Sequence, residues 1–137
     1  MPSIFTRIVN GEIPAAKVYE DADTLAFLDI NPASRGHTLV ICKAEIATLT
    51  ELSDAQLIAT ARTTQRVAAA VQQALQADGF NIVQSNGAAA GQEVFHYHVH
   101  IIPRWQNDGV VQFWQPRAID KEIIATIANS IKNAMNV

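Results

Sequence analysis

The feature that most constrains this chain is an alternating run of histidines, His96-Tyr97-His98-Val99-His100, continued by Ile101-Ile102-Pro103-Arg104. Phe95, Tyr97, Val99 and Ile101 are aromatic or β-branched, which favours a strand. Side chains on a strand alternate between its faces. His96, His98 and His100 are therefore expected on one face, with same-side neighbours about 6.6 Å apart. Phe95, Tyr97, Val99 and Ile101 are expected on the other face, turned into a core. The chain holds four histidines, so His37 alone lies outside this strand. Such a face can ligate a metal through neutral imidazoles. It can equally supply a nucleophile with its supports, because an imidazole attacks phosphorus well once its other nitrogen gives its proton to a fixed acceptor.

At 137 residues the chain is long enough to bury the core of one domain. Hydrophobic residues make up 49% and charged residues 17%, a globular balance. A net charge of −3 offers no basic footprint for nucleic acid. Runs such as Ala68-Ala69-Ala70-Val71 are too short to cross a membrane. Met1 to Arg7 lack the pattern of a secretory signal. A cytoplasmic protein is the expectation. The single cysteine, Cys42, lies in the apolar run Leu39-Val40-Ile41 and reads as a buried, inert thiol.

Turn signals divide the chain. Ile4 to Val9 can start as a short helix, and Asn10-Gly11 turns. Lys17 to Tyr19, Thr24 to Ile30 and His37 to Cys42 read as strands with short links, the pattern of an antiparallel meander. Glu45 to Leu52 reads as a short helix. Ser53-Asp54-Ala55-Gln56 has the form of a capping box. Leu57, Ala61, Thr64, Ala68, Val71 and Leu75 then share a helical face, and Gly79 suits its C-terminal cap. Phe80 to Ser85 returns as a strand. Asp120 is expected to cap a last helix carrying Ile123, Ile124, Ile127 and Ile131. The expected fold is one α+β domain over residues 1–137: a five-stranded antiparallel sheet, one long helix and a C-terminal extension from about residue 105.

Two further stretches bear on chemistry. Asn86-Gly87-Ala88-Ala89-Ala90-Gly91 is a small-residue loop just before the histidines, where backbone amides can approach an anion. Ser85, Asn86 and Gln92 add donors. Asp29 ends a strand; it suits either a turn that bonds its own backbone or an acceptor for a ribose diol. Phe5, Ile8, Ile13 and Phe27 suit either an apolar slot for a base or plain core.

His96-Tyr97-His98-Val99-His100-Ile101-Ile102 resembles the signature of the histidine triad (HIT) family, His-φ-His-φ-His-φ-φ. Gly11-Glu12-Ile13-Pro14-Ala15, Ala26-Phe27-Leu28-Asp29-Ile30, Gly36-His37-Thr38-Leu39-Val40-Ile41 and Ala90-Gly91-Gln92 are similar to the bacterial form of its Hint branch. The resemblance implies a nucleotide-binding homodimer. It would hydrolyse or transfer nucleoside monophosphates from purine phosphoramidates or related conjugates, with no cofactor and no metal. It implies His98 as nucleophile, His100 at the phosphate and leaving group, and His96 and His37 as a relay behind His98. Asp29 would hold the ribose, with Phe27, Leu28 and Ile30 around it. Phe5, Ile8 and Ile13 would enclose the base. Asn86, Gly91, Gln92 and Val94 would line the phosphate side. Many relatives carry a structural zinc on Cys-x-x-Cys and a later histidine. Those places hold Ser3, Thr6 and Glu45 here, so no zinc is expected, and hydrogen bonds from Ser3 or Thr6 to Glu45 are expected instead. Glu93 stands where relatives often have a hydroxyl. Two other readings stay open: a metal-binding protein using the histidine strand, and a nucleotide-binding scaffold with incidental hydrolysis.

Overall fold

The computed structural model describes residues 1–110 and 114–135. Its elements are α1 (Ile4–Val9), β1 (Lys17–Glu20), β2 (Thr24–Leu28), β3 (Thr38–Cys42), α2 (Asp54–Leu75), β4 (Gly79–Val83), β5 (His98–Arg104) and α3 (Lys121–Met135). The strands form one sheet in the order β1-β2-β3-β5-β4, with every neighbouring pair antiparallel. This is the expected α+β architecture. Short links give the β1-β2-β3 meander. The long crossover through α2 and β4 lets β5 enter between β3 and β4.

The period of two in the strands divides the core into two layers. On one face Ala26, Val40, Cys42, Tyr97, Val99 and Ile101 pack with Val67 and Ala68 of α2. On the other, Leu25, Phe27, Leu39 and Ile41 pack with Phe5 and Ile8 of α1. Register places the histidines: His98 sits opposite Ile41 and His100 opposite Leu39, on the α1 side.

The capping box of α2 forms as its sequence predicts, with Ser53 and Gln56 bonding each other's backbone N–H. The buried face is rotated from the expected one. Thr60, Thr63, Val67 and Ala68 point inward, whereas Leu57 is 42% exposed and Ala61 is exposed. Hydroxyls can be buried when bonded, and these are. Thr60 donates to the Gln56 carbonyl at 2.8 Å, and Thr63 shares a 2.9 Å bond with Thr24. Nor does Gly79 cap the helix. Gln76 takes the left-handed conformation at φ 52°, and Gly79 opens β4.

Two other expectations are corrected, and the last helix forms where the sequence places it. Between Glu45 and Leu52 only Leu49–Glu51 coils, as one 3-10 turn. The histidine strand begins at His98, because residues 92–97 run irregularly over the end of the sheet. Phe95 is consequently 54% exposed rather than in the core. α3 starts after Asp120, whose carbonyl accepts the Ile124 N–H, but Ile123, Ile124, Ile127 and Ile131 stay 47–58% exposed. Phe113, expected from the sequence to add with Trp105 and Trp114 to an apolar surface needing cover in a dimer, lies outside the described residues.

Candidate active site

Each histidine is fixed, directly or through a neighbouring histidine, by a backbone group that can play only one part in a hydrogen bond, and this determines where its protons sit. His98 is 8% exposed, and its Nδ1 lies 2.6 Å from the His96 carbonyl oxygen. A carbonyl only accepts, so Nδ1 carries the proton, and Nε2 of the neutral ring is left as a bare lone pair. His37 sits at the mouth of β3. The Ala33 N–H donates to its Nδ1 at 2.9 Å, so the His37 proton is on Nε2. That Nε2–H lies 2.9 Å from His100 Nδ1, which must accept it. His100 therefore carries its own proton on Nε2. One ring offers a lone pair and its neighbour, with centroids 5.0 Å apart, offers an N–H.

His96 is fully buried and is held at both nitrogens. Nε2 lies 2.6 Å from the Cys42 carbonyl and so donates. Nδ1, 2.7 Å from Ser3 Oγ, therefore accepts the serine proton. The expected relay is thus divided. His37 stands behind His100, not His98, and His96 supports His98 through its backbone carbonyl while its ring turns toward α1.

Burial dominates the electrostatics. It pushes the His37, His96 and His98 imidazoles below the usual histidine range, only partly opposed by the charge of Asp29 or Glu45 or by carbonyl acceptors. His100 is pushed down to about 4, by burial first and then by the neighbouring His98 and His37. All of these rings are neutral at pH 7, as the bonding pattern requires.

The loop from Asp29 to His37 frames one side. Asp29 Oδ1 accepts the Asn31 N–H at 2.8 Å, the local turn bond, while Oδ2 lies 3.6 Å from His37 Nε2. Gly36, at φ +94°, turns the chain into His37, and an added Cβ there would run into the Leu75 side chain. Phe5 closes the other side, edge-on to His98 with centroids 4.9 Å apart and to Phe27 at 5.6 Å. Ile8 is buried in this layer, and Ile13 and Val94 pack against it.

Other expected residues are placed differently. Strand alternation turns Leu28 to the α2 face, where it lines a groove with Val67 and Val71. Ile30 is 88% exposed. Gln92 is buried and fully engaged: it accepts the Gly87 N–H at 2.7 Å and donates to the Ala47 and Val94 carbonyls. Asn86 bonds Gln84 and the Leu49 N–H. Gln92 and Asn86 therefore brace the loop from within. Gly91, left-handed at φ +90°, ends its 3-10 turn Ala88–Ala90. The framing groups that sequence reasoning missed are backbone ones, the Ala33 N–H and the Cys42 and His96 carbonyls, which leave no mark on residue type. Ser3 as a partner of His96 could be suspected only from Ser3-x-x-Thr6 opening a helix.

Among the described residues Asp29, His37 and His100 bring potential ligand atoms within 4.8 Å of one another. The set suits a metal poorly. With His37 Nδ1 accepting the Ala33 N–H, Nε2 keeps the proton and has no lone pair for a cation. At the place of the zinc site of some relatives, Glu45 Oε1 accepts the Ser3 N–H at 2.6 Å and the Thr6 hydroxyl at 2.7 Å. These are the hydrogen bonds expected from the sequence.

The HIT domain model matches residues 10–107. An uncharacterized HIT-like protein of Methanocaldococcus jannaschii is 48% identical over 118 residues, 85% of this chain and 91% of its own length. The adenosine 5'-monophosphoramidase of Schizosaccharomyces pombe is 38% identical over 134 residues, 97% of this chain and 98% of its own. An adenylylsulfatase of Arabidopsis thaliana is 43% identical over 105 residues, 77% of this chain and 53% of that protein. The crystal structure of a HIT family member from Bacillus subtilis superposes with a TM-score of 0.90 at 40% identity, covering 97% of this chain and 96% of that one. With the histidine strand, the sheet order and these likenesses in agreement, the chain belongs to the HIT family.

Proposed function

We propose that this chain is a nucleotide-binding hydrolase or transferase acting on the α-phosphate of purine nucleoside phosphoramidates or related nucleotide conjugates. The observation that carries the reading is the paired tautomers: His98 with a bare Nε2 beside His100 with an Nε2–H. In this mechanism His98 Nε2 attacks the α-phosphorus to form a nucleotidyl-histidine. The bond to the leaving group breaks with its electron pair, and the leaving atom takes a proton from solvent, handed over at His100 Nε2. Water then attacks the phosphorus, its proton returns to solvent, and the monophosphate departs with His98 restored. Fixed donors that stabilise the developing charge need no metal or other cofactor. The names of the fission yeast and Arabidopsis relatives, a monophosphoramidase and an adenylylsulfatase, support the substrate class.

In the same reading Asp29 accepts the ribose hydroxyls, Phe5 and Phe27 with Ile8 and Ile13 flank the base, and backbone amides around Gly91 and Val94 meet the phosphate. The setting is the cytoplasm, where a lone buried thiol such as Cys42 stays reduced. No described helix is long and apolar enough to cross a membrane. The functional unit is a homodimer. Among the described residues β4 is the last strand of the sheet, Phe80 and Ile82 on it are exposed, Trp114 is 75% exposed, and the apolar stripe of α3 lies open. An open strand edge with apolar side chains calls for cover.

His98→Ala is expected to abolish turnover of adenosine phosphoramidate while AMP still binds in calorimetry. Substantial turnover would remove His98 as nucleophile. Asp29→Ala is expected to weaken AMP by about 1.5–3 kcal/mol, the range for a charged hydrogen bond, and to spare a 2',3'-dideoxy analogue. Equal losses would leave Asp29 as a turn residue. Because attack needs neutral His98, and burial holds His98 and His100 low, the acid limb of kcat/KM should fall below the ordinary histidine midpoint of 6.5. A limb at or above 6.5 would contradict the buried, neutral pair. Light scattering at micromolar concentration should give twice the chain mass, and a monomer would refute the dimer.

A further inference from the structure

The N-terminal helix meets the histidine segment most closely through the Ser3 hydroxyl, with the Thr6 hydroxyl farther off at 3.4 Å from His96 Nδ1. The Ser3 oxygen is the N-cap of α1, accepting the Thr6 N–H at 3.0 Å. It lies 2.7 Å from His96 Nδ1 and 3.3 Å from Thr6 Oγ1. The His96 ring is neutral and its Nε2–H is committed to the Cys42 carbonyl, so the Ser3 proton goes to Nδ1. Glu45 secures the arrangement by accepting the Ser3 N–H and the Thr6 hydroxyl on Oε1. The ring of His96 is thereby pinned at both nitrogens, and its backbone carbonyl is the acceptor for His98 Nδ1–H. The same helix carries Phe5, whose edge meets His98 and, with centroids 5.8 Å apart, His96.

We propose that Ser3 is a positioning residue for His98: its hydroxyl locks the His96 ring, and His96 in turn holds the carbonyl that keeps the nucleophile's free lone pair on Nε2. The inference rests on the reading of His98 as nucleophile. The Ser3–Thr6–Glu45 cluster reaches the reacting ring because His96 bonds Ser3 through its ring and His98 through its carbonyl. Without the serine proton, His96 Nδ1 has no donor as close. The ring can then exchange tautomers or turn, and its carbonyl loses a fixed place.

Ser3→Gly removes the hydroxyl yet keeps a residue that caps helices almost as well. Ser3→Asp keeps a strong cap but has no proton for Nδ1. Ser3→Thr restores the hydroxyl. The expected result is a fall in kcat of about tenfold in both Ser3→Gly and Ser3→Asp, the size of one lost hydrogen bond, with KM little changed and Ser3→Thr recovering the rate. Side-chain 15N NMR should show His96 as the Nε2–H tautomer in the parent and in Ser3→Thr, and as a mixture or a charged ring in the other two. Parent kcat in Ser3→Gly or Ser3→Asp, unchanged His96 ring signals, or no recovery in Ser3→Thr would overturn the proposal. Failure of the nucleophile reading is separable: it would appear as turnover surviving in His98→Ala, while the ring signals still report the Ser3 bond.

Discussion

The bond from His98 Nδ1–H to the His96 carbonyl is the interaction on which the rest of the site depends. An imidazole in water exchanges its proton between two nitrogens, and either can be the nucleophile. A carbonyl removes that freedom, because it cannot donate. Polarity then runs outward from groups of fixed sense. The Cys42 carbonyl sets His96, the His96 carbonyl sets His98, and the Ala33 N–H sets His37 and through it His100. Among the described residues no buried side-chain nitrogen or oxygen lacks a partner. Buried imidazoles would otherwise be costly, so the network that orients them also makes their burial tolerable.

The sheet makes this arrangement possible by separating two tasks. Its α2 face is a largely apolar layer, crossed by the bonded hydroxyls of Thr24, Thr60 and Thr63, that supplies stability. Its other face is apolar at Leu25, Phe27, Leu39 and Ile41 and gives way to imidazoles at His98 and His100 in the same rows. Because β5 lies inside the sheet between β3 and β4, His100 is paired on both sides and His98 is paired with β3, which limits the drift of the two rings. At the far end of β5, Arg104 bonds both Asp108 oxygens and Asn81 Oδ1, tying the strand's exit to β4. Mobile chemistry thus rests on paired backbone, as preorganised donors require.

The strand pattern and the histidine face were legible because period-two alternation is a local property of sequence. So were the Ser53–Gln56 capping box and the bonds from Ser3 and Thr6 to Glu45. The inward face of α2 was not. Thr60 and Thr63 look polar in a hydropathy pattern, and only their partners Gln56 and Thr24 show why they can be buried. Phe95 was misplaced because the alternation runs on through residue 95 whereas the pairing begins at His98. Leu28 was placed around Asp29 by the family resemblance, yet strand alternation turns it to the α2 face, and Ile30 lies exposed beyond the end of β2. Gln92 was taken for a ligand donor because residue type does not reveal that Gly87, Ala47 and Val94 already use its amide. The division of labour between His96 and His37 depends on backbone groups, which every residue carries, so sequence could name the four histidines but not wire them.

The most direct test of the account is the intermediate itself. Rapid quenching of the parent protein with adenosine phosphoramidate, followed by peptide mapping under basic conditions, should yield an acid-labile, base-stable adenylyl group on His98, formed and discharged at rates that match turnover. An adduct on another residue, or turnover with no adduct and direct inversion at phosphorus, would contradict a nucleophile held ready by the His96 carbonyl.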